Sequence, residues 1–223
     1  MNDGDRTIAT FAITTLLKTG GEARVEGLLK QTQALFQNDL SDEFKCIIIE
    51  ALHELGLRLP RKIPNLMRFL QTTLRDEGGF ELKRRIVDAV VDMLERVPEV
   101  RMEALMYLAE FIEDCEHDAL SIRVLHLFGD RGPETATPSK FIRFVYNRVI
   151  LESQPVRAAA VTALGKFGTR VPELRTSVIT LLKRCRHDDA DEVRDRALTF
   201  LDVLQKVDAE PASGPSSGSG SQS

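Results

Sequence analysis

The side chains with the most obvious potential for chemistry are the adjacent pair His53 and Glu54. Imidazole and carboxylate groups are common ligands of iron and zinc, but a metal site needs several of them converging on one ion. The sequence contains one pair in this order, and Glu116 and His117 follow each other in the reverse order. We interpret His53 and Glu54 as a partly exposed pair on a helix and keep a metalloenzyme as a remote alternative.

Other residues of ligand type have the wrong spacing for a metal. Cys115, Glu116 and His117 are consecutive, and consecutive helical residues point in different directions. Cys185 and His187 lack two further ligands nearby, although structural zinc needs four. We expect these cysteines to be buried or half-buried thiols.

An acidic run, Asp188, Asp189 and Asp191, raises the possibility of calcium binding. The twelve-residue loop with a closing glutamate that typical calcium sites use is missing, so we predict a capped turn. Gly78-Gly79 and residues 129–133 lack the lysine-serine ending and the preceding strand of a phosphate loop. We predict no catalytic residue, no cofactor and no metal.

One set of basic residues is the candidate for binding a partner. Its members lie beside Phe141, Phe144 and Tyr146 or one repeat further on. They could form one cationic ridge for an acidic partner or a lipid surface. The alternative is a solvated face with ion pairs to nearby acids. The basic set comprises Lys140, Arg143, Arg148, Lys183, Arg184 and Arg186.

Composition limits the classes of function. The formal net charge of −4 argues against a nucleic-acid binder, which is usually basic. Three cysteines far apart give no disulfide framework and fit a reducing compartment. The polar, acidic opening of the chain is unlike a signal peptide, and the longest apolar run, Cys46–Ile49, is far too short to span a membrane. Any membrane contact is therefore expected to be peripheral.

A repeat organises the elements that carry these residues. Successive helical runs open with an apolar residue followed by a cation. This dipeptide occurs at Phe44-Lys45 and again 38 residues later. A degenerate copy near Leu120 lacks the cation, and the dipeptide returns at Val156-Arg157 and once more 37 residues after that. A further unit fits at the start, from Asp5. Three prolines, Pro60, Pro98 and Pro172, follow the same period and mark breaks between two helices of one repeat.

Apolar residues between these marks recur at helical three- and four-residue steps, and strand patterns are absent. A single helix pair cannot bury its apolar face, so neighbouring pairs must stack. The sequence predicts an all-α fold, a right-handed α-solenoid of about six helix pairs over residues 1–207, with a disordered Gly/Ser/Pro-rich tail over 208–223. The expected helices are 5–18, 22–37, 41–59, 62–76, 79–96, 99–114, 117–129, 138–151, 154–168, 172–186 and 190–207, with a short twelfth near 131–137.

The segment Val156–Gly168 resembles the second helix of a HEAT repeat, so we describe the pairs as HEAT/ARM-like. Its alanines allow close helix approach, and Arg157 can reach the acidic turn of the neighbouring repeat. Gly165 and Gly168 are expected to end the helix. Asp188–Ala197 repeats the theme, with acids at the positive start of a helix.

Longer ordered stretches, from Asn2 to about Gln205, resemble the trunk of the coatomer gamma family. Gly20–Arg24 and Gly56–Leu59 diverge from it. The stretches that carry the resemblance are Asn2–Thr10 with Leu16–Gly20, Leu74–Phe80, Glu110–Cys115, Gly132-Pro133 with Pro138–Phe144, Tyr146–Glu152, and Leu181–Cys185 with Asp191–Arg196.

The resemblance implies a central trunk segment of a structural subunit of the COPI vesicle coat, without enzymatic activity. It implies transport from the Golgi to the ER and within the Golgi. The implied partners are zeta, beta and delta subunits and an Arf-family GTPase, with peripheral contact to the Golgi membrane through the assembled coat. The implied location is the cytoplasm, the Golgi surface and coated vesicles. The alternative is a generic HEAT scaffold, such as a clathrin-adaptor or phosphatase-scaffold segment.

Overall fold

All regular structure in the described part of the chain is helical. The structure, a computed structural model, describes residues 3–37, 40–76 and 78–209. They form eleven α-helices and five one-turn 3₁₀ helices, which confirms the predicted all-α class. The helices are α1 Asp3–Thr19, α2 Val25–Gln37, α3 Asp42–Arg58, α4 Ile63–Arg75, α5 Phe80–Arg96, α6 Arg101–Phe111, α7 Asp118–Arg131, α8 Ser139–Leu151, α9 Gln154–Arg170, α10 Arg175–Cys185 and α11 Asp191–Ala209.

The predicted period is present in the helices. The odd-numbered helices begin 36 to 39 residues apart, and an even-numbered helix follows each of the first five. The twelfth element expected near 131–137 is a 3₁₀ turn, Gly132–Glu134. α11 continues to Ala209, two residues past its expected end at residue 207, and residues 210–223 lie outside the described residues. The division into a solenoid and a disordered tail therefore stays a prediction.

The prolines start the turns that separate the two helices of a pair. Pro60, Pro98 and Pro172 each open a 3₁₀ turn that leads directly into the next helix. The residues before them are not helical: Val97 and Val171 are extended, with φ of −124° and −125°, and Leu59 has φ of −125° with ψ of 73°. Proline imposes this geometry because its ring disfavours helical backbone at the preceding residue and lacks an amide hydrogen.

The chain divides into two units, residues 1–120 and 121–223. In the first unit α1 packs against α3, and α3 packs against α5, so each odd-numbered helix meets the next one. The residues between them, such as Ile48, Leu52 and Ile86, have no exposed surface. Burying one such side chain stabilises the fold by about 1.5–3 kcal/mol, so these helices hold one another through aliphatic packing.

In the second unit α9 is the central helix and contacts α8, α10 and α11. The prediction that Gly165 and Gly168 end this helix is wrong, because α9 runs through both to Arg170. A Cβ atom at Gly165 would lie 2.2 Å from the Phe200 ring, and one at Gly168 would lie 2.9 Å from Leu204. These glycines therefore serve the close approach of α11 to α9. Helix termination falls instead at the extended residue before Pro172.

No helix within residues 3–37, 40–76 and 78–209 is both long enough and apolar enough to cross a bilayer.

Candidate interaction surfaces

The residues expected to attract a metal are engaged with other partners. His53 Nε2 lies 2.7 Å from Asp92 Oδ2 on α5, whereas Glu54 pairs with Lys18 on α1 at 3.2 Å. The two side chains therefore bond to different neighbouring helices. Burial raises the pKa of Asp92, but the hydrogen bonds from Arg96 and His53 outweigh it and leave that pKa below its usual value. Within residues 3–37, 40–76 and 78–209, no three His, Cys, Asp or Glu side chains are grouped to hold a metal.

The cysteines behave as small packed side chains. The Cys115 thiol donates to the carbonyl of His117 at 3.6 Å, and the His117 ring meets Phe80 edge-on at 5.3 Å between centroids. Cys185 is buried, its thiol donates to the Leu181 carbonyl, and burial raises its pKa to about 11. A thiol in this state is a poor nucleophile and a poor metal ligand.

The acidic turn after α10 binds the side chain of Arg157. Arg157 Nη2 and Nε donate to the two oxygens of Asp188 at 2.8 and 3.1 Å, and Nη2 also donates to Asp189. Asp188 Oδ1 accepts the Ala190 amide at 2.9 Å. Both expectations for this segment are confirmed: Arg157 reaches the neighbouring acidic turn, and the turn is capped.

Burial and hydrogen bonding have opposite effects on the pKa of Asp188. Its side chain is 12% exposed and that of Arg157 is 16% exposed. Burial alone would raise the pKa of Asp188, but the hydrogen bonds from Arg157 and the Ala190 amide lower it below its usual value. The carboxylate therefore stays charged, and the pair ties the start of α9 to the turn that leads into α11.

A second kind of polar contact between repeats, from arginine side chains to helix-end carbonyls, was not predicted from the sequence. α3, α5, α7 and α9 each end in arginine. Arg58 reaches back to α1, where Nη2 donates to the carbonyls of Leu17 at 2.9 Å and Gly20 at 3.1 Å, and Nη1 donates to that of Lys18. Arg170 does the same to the Asp130 carbonyl at 2.5 Å. The last carbonyls of a helix lack partners within the helix and carry partial negative charge, so a cation there satisfies them.

Carboxylate–cation pairs accompany these arginines from one repeat to the next. They share a sequence separation close to one period. They are Lys18 with Glu54, Lys62 with Glu26, Arg85 with Glu50, Arg75 with Glu110, Lys166 with Asp130 and Arg170 with Glu134. Exposed pairs contribute less than about 1 kcal/mol each, so these contacts add little to stability beside the aliphatic packing.

The members of the basic set differ in exposure, and whether they form one binding surface stays a prediction. Arg148 is wrongly placed in this set, because its side chain is 7% exposed and Nη1 lies 2.6 Å from the carboxylate of Glu152, the residue that follows α8. The other five members are exposed. Lys140 lies in the first turn of α8, whereas Arg184 lies beside the end of α8, where Tyr146 and Ile150 line a cavity of about 340 Å³ with it. Ten residues of helix separate Lys140 from Ile150, which is about 15 Å.

Helix pairs that recur along the chain, with polar contacts between residues about one repeat apart, define the class of the protein as an α-helical repeat scaffold. The family model for the adaptin N terminal region matches residues 1–208, and the chain belongs to this family. Coatomer subunit gamma-2 of Danio rerio and of Homo sapiens and coatomer subunit gamma-1 of Homo sapiens are each 52% identical to it over 206 residues. The resemblance to coatomer gamma subunits is thereby confirmed. The match covers 92% of this chain and 24% of each relative, so the chain spans about a quarter of their length.

Solved structures support the solenoid class. A homology model of the full-length AP-3 complex matches 92% of this chain and 38% of its own chain, with a TM-score of 0.66 and 14% identity. Computationally designed armadillo repeat proteins for modular peptide recognition match 86% of this chain and 98% of their own, with a TM-score of 0.51 and 14% identity. At this identity the likeness concerns the fold alone.

Proposed function

We infer that this chain is a structural scaffold segment of a COPI vesicle coat subunit, acting in Golgi-to-ER retrograde and intra-Golgi protein transport. The observation that carries the inference is its 52% identity over 206 residues to coatomer gamma subunits of fish and human. The match extends over 92% of the chain, so it includes nearly all of the helices that the structure describes.

The packing supports a mechanical role for the segment. Aliphatic side chains hold the successive helices of each unit together, and the arginines at the ends of α3 and α9 each fasten one repeat to the one before it. Each repeat in such an array contacts its neighbours, so the array presents an extended surface on which several partners can assemble.

The partners proposed for this scaffold are coat subunits of the zeta, beta and delta types and an Arf-family GTPase. The proposed location is the cytoplasm and the surface of the Golgi and its coated vesicles, with the membrane contacted peripherally through the assembled coat. No reaction, cofactor or nucleic-acid partner is assigned to it.

Affinity purification tests this function. The full 223-residue chain, carrying a tag, is incubated with cell extract, and bound proteins are quantified by mass spectrometry against a tagged designed armadillo protein as a matched helical control. We expect enrichment of zeta-, beta- and delta-type coat subunits. Enrichment of clathrin-adaptor chains or phosphatase subunits instead would refute the assignment. Stoichiometric iron in the purified chain would favour the metalloenzyme alternative.

A further inference from the structure

A groove runs between α2 and α4, which pack against each other in the first unit. It contains two adjoining cavities, of about 500 and 330 Å³, that share Gln33 of α2 with Phe69 and Thr72 of α4. Ligand sites in proteins commonly have volumes of about 300–1,000 Å³. The lining side chains recur at the same steps of four, three and four residues on both walls, as Glu26, Lys30, Gln33 and Gln37 on α2 and as Asn65, Phe69, Thr72 and Asp76 along α4 and at its end.

Carboxamide groups line both walls of the groove. Gln33 and Gln37 are exposed and Asn65 is half-buried, and none of these side chains forms a hydrogen bond with a residue that the structure describes. A carboxamide has an N–H donor and a C=O acceptor, which complement the C=O and N–H of a peptide main chain. Between the walls, Leu29 and Phe69 are buried and apolar. The groove therefore combines polar walls with an apolar floor.

The spacing of the carboxamides matches an extended polypeptide. Gln33 and Gln37 are one helical turn apart, about 6 Å along α2. Peptide groups on the same edge of an extended chain recur every two residues, or about 6.6 Å. Successive carboxamides of α2 can therefore pair with successive peptide groups on one edge, and Asn65 lies on the opposite wall. From Glu26 to Gln37 the wall is about 16 Å long, which is the length of about five extended residues.

The end of the groove formed by the first turns of α2 and α4 is positive. Lys30 and Arg68 both line the larger cavity there, are exposed, and form no ion pair with any residue that the structure describes. Glu26 also lines this cavity, but Lys62 pairs with its carboxylate at 3.3 Å. The smaller cavity has one lining cation and one lining acid, so its charges balance. A ligand carboxylate is therefore attracted to the end beside Lys30 and Arg68.

Together these features select a ligand chemistry. We propose that the groove between α2 and α4 binds an extended polypeptide segment of about five residues, with an acidic residue at one end and apolar side chains at alternate positions. Successive side chains of an extended chain point to opposite faces, so every second one would contact the apolar floor while the main chain pairs with the walls. We call this surface the α2–α4 groove and define it by Lys30, Gln33, Gln37, Asn65, Arg68 and Phe69.

A polypeptide fits the α2–α4 groove better than a lipid surface or a nucleic acid does. Segments that bind anionic membranes use clusters of about four to eight cations, whereas Lys30 and Arg68 are two. Single-stranded nucleic acid stacks its bases on aromatic rings, but Phe69 is 8% exposed and its ring meets Phe36 edge-on at 5.5 Å between centroids. A peptide main chain, in contrast, has an acceptor and a donor for each carboxamide.

The inference goes beyond the proposed coat function, because it concerns a ligand class that the purified chain should bind without any coat subunit. The two fail independently. Coat subunits absent from a pull-down would leave peptide binding intact, and a silent peptide assay would leave the coat assignment intact.

Fluorescence polarisation with the full 223-residue chain tests the α2–α4 groove. The probes are two fluorescein-labelled peptides of about seven residues in which leucine alternates with serine, with an aspartate at the first position of one and the last position of the other. The pair samples both directions of a bound chain, and we expect one of them to bind. Its version with N-methyl groups on alternate peptide nitrogens should bind at least about tenfold more weakly, because methylation removes donors that the carboxamides accept.

Two variants test the polar contacts of the groove. Gln33→Ala should weaken binding about fivefold, and Lys30→Glu at least about tenfold. Gln31→Ala is the matched control for the first, because Gln31 is exposed on α2 and lines neither cavity. Arg186→Glu is the matched control for the second, because Arg186 is exposed, forms no ion pair within the described residues and lies in the other unit. Both controls should change binding less than about twofold, and all four variants should keep the circular dichroism spectrum of the parent, since they alter exposed side chains.

Failure of both probes to bind would overturn the proposal. Equal binding of the N-methylated and parent probes would also overturn it, because the main chain would then not be recognised. Equal losses for Lys30→Glu and Arg186→Glu, or for Gln33→Ala and Gln31→Ala, would reveal an attraction that does not depend on the groove. Capture on phosphatidylserine vesicles that Lys30→Glu abolishes, while both probes stay unbound, would assign the cations to a lipid surface instead.

Discussion

Replacing Arg157 with alanine should destabilise the second unit more than replacing any exposed arginine there. Arg157 makes a two-point contact with Asp188, at 2.8 and 3.1 Å, and a third hydrogen bond to the Glu152 carbonyl at 3.1 Å. Both partners are mostly buried, so the loss should exceed that of a surface pair, which is below about 1 kcal/mol. It should stay below the 3–5 kcal/mol, or thereabouts, of a fully buried pair, because both side chains keep some contact with water.

We expect a loss of about 2 kcal/mol, which corresponds to a fall in Tm of about 4–8 °C for a chain of this size. Thermal and urea unfolding followed by circular dichroism measure it. Arg184→Ala is the control, since Arg184 is exposed, and its effect should stay within about 0.5 kcal/mol. In a double-mutant cycle with Asp188→Ala, we expect a coupling energy of about 1.5 kcal/mol between the two side chains.

The pH dependence of the same variant follows from the lowered pKa of Asp188. A carboxyl whose folded pKa lies below its unfolded value, about 3.9, stabilises the fold above that pH and loses this effect as the pH falls through the folded pKa. The difference in stability between parent and Arg157→Ala should therefore be full at pH 7 and shrink below about pH 4. A coupling energy near zero, or equal effects of Arg157→Ala and Arg184→Ala at pH 7, would refute the reasoning.

Three further predictions concern other contacts between elements. Arg58→Ala should speed hydrogen exchange in the last turn of α1 and cost about 1 kcal/mol, because three carbonyls lose a donor; unchanged exchange there would contradict the clamp. Gly168→Ala should lower the free energy of unfolding, measured in urea, by about 1 kcal/mol. The new methyl group would crowd Leu204 and Val178, and this cost outweighs the gain in helix propensity of about 1 kcal/mol. A stabilised variant would show that these neighbours move aside. Cys185 should resist alkylation by iodoacetamide at pH 8 until the chain unfolds, because its thiol is buried with a pKa of about 11; rapid labelling of the native chain, measured by mass spectrometry, would disprove this.

The sequence was sufficient for the features that are local. The period of apolar residues and the prolines at 60, 98 and 172 predicted the helices and their breaks, because helix geometry and proline geometry depend on neighbours in the chain. The contact from Arg157 to the next acidic turn was also predictable, since the period brings those two segments together.

Other features depended on neighbours from different repeats. The sequence pattern around Gly165 predicts a helix end. In the structure Gly165 leaves room for the ring of Phe200 of α11, and nothing in the neighbouring sequence indicates that contact. Arg148 follows the same spacing as the exposed cations of α8, but its side chain is buried and donates a hydrogen bond to the carboxylate of Glu152. The arginines that end α3, α5, α7 and α9 do recur at nearly one period, so a search for cations in register would have found them.

Zero-length carbodiimide cross-linking measures whether each repeat touches the next one along the chain within a unit. This reagent joins a lysine to a carboxylate only when they touch. We expect links between Lys18 and Glu54, Lys62 and Glu26, and Lys166 and Asp130, whose charged atoms lie 3.2, 3.3 and 2.5 Å apart. Lys206 and Asp202, one turn apart on α11, serve as the internal standard. Links that skip a repeat within a unit, such as Lys18 to Glu110, at the yield of the expected ones would show that the repeats do not pack in sequential order.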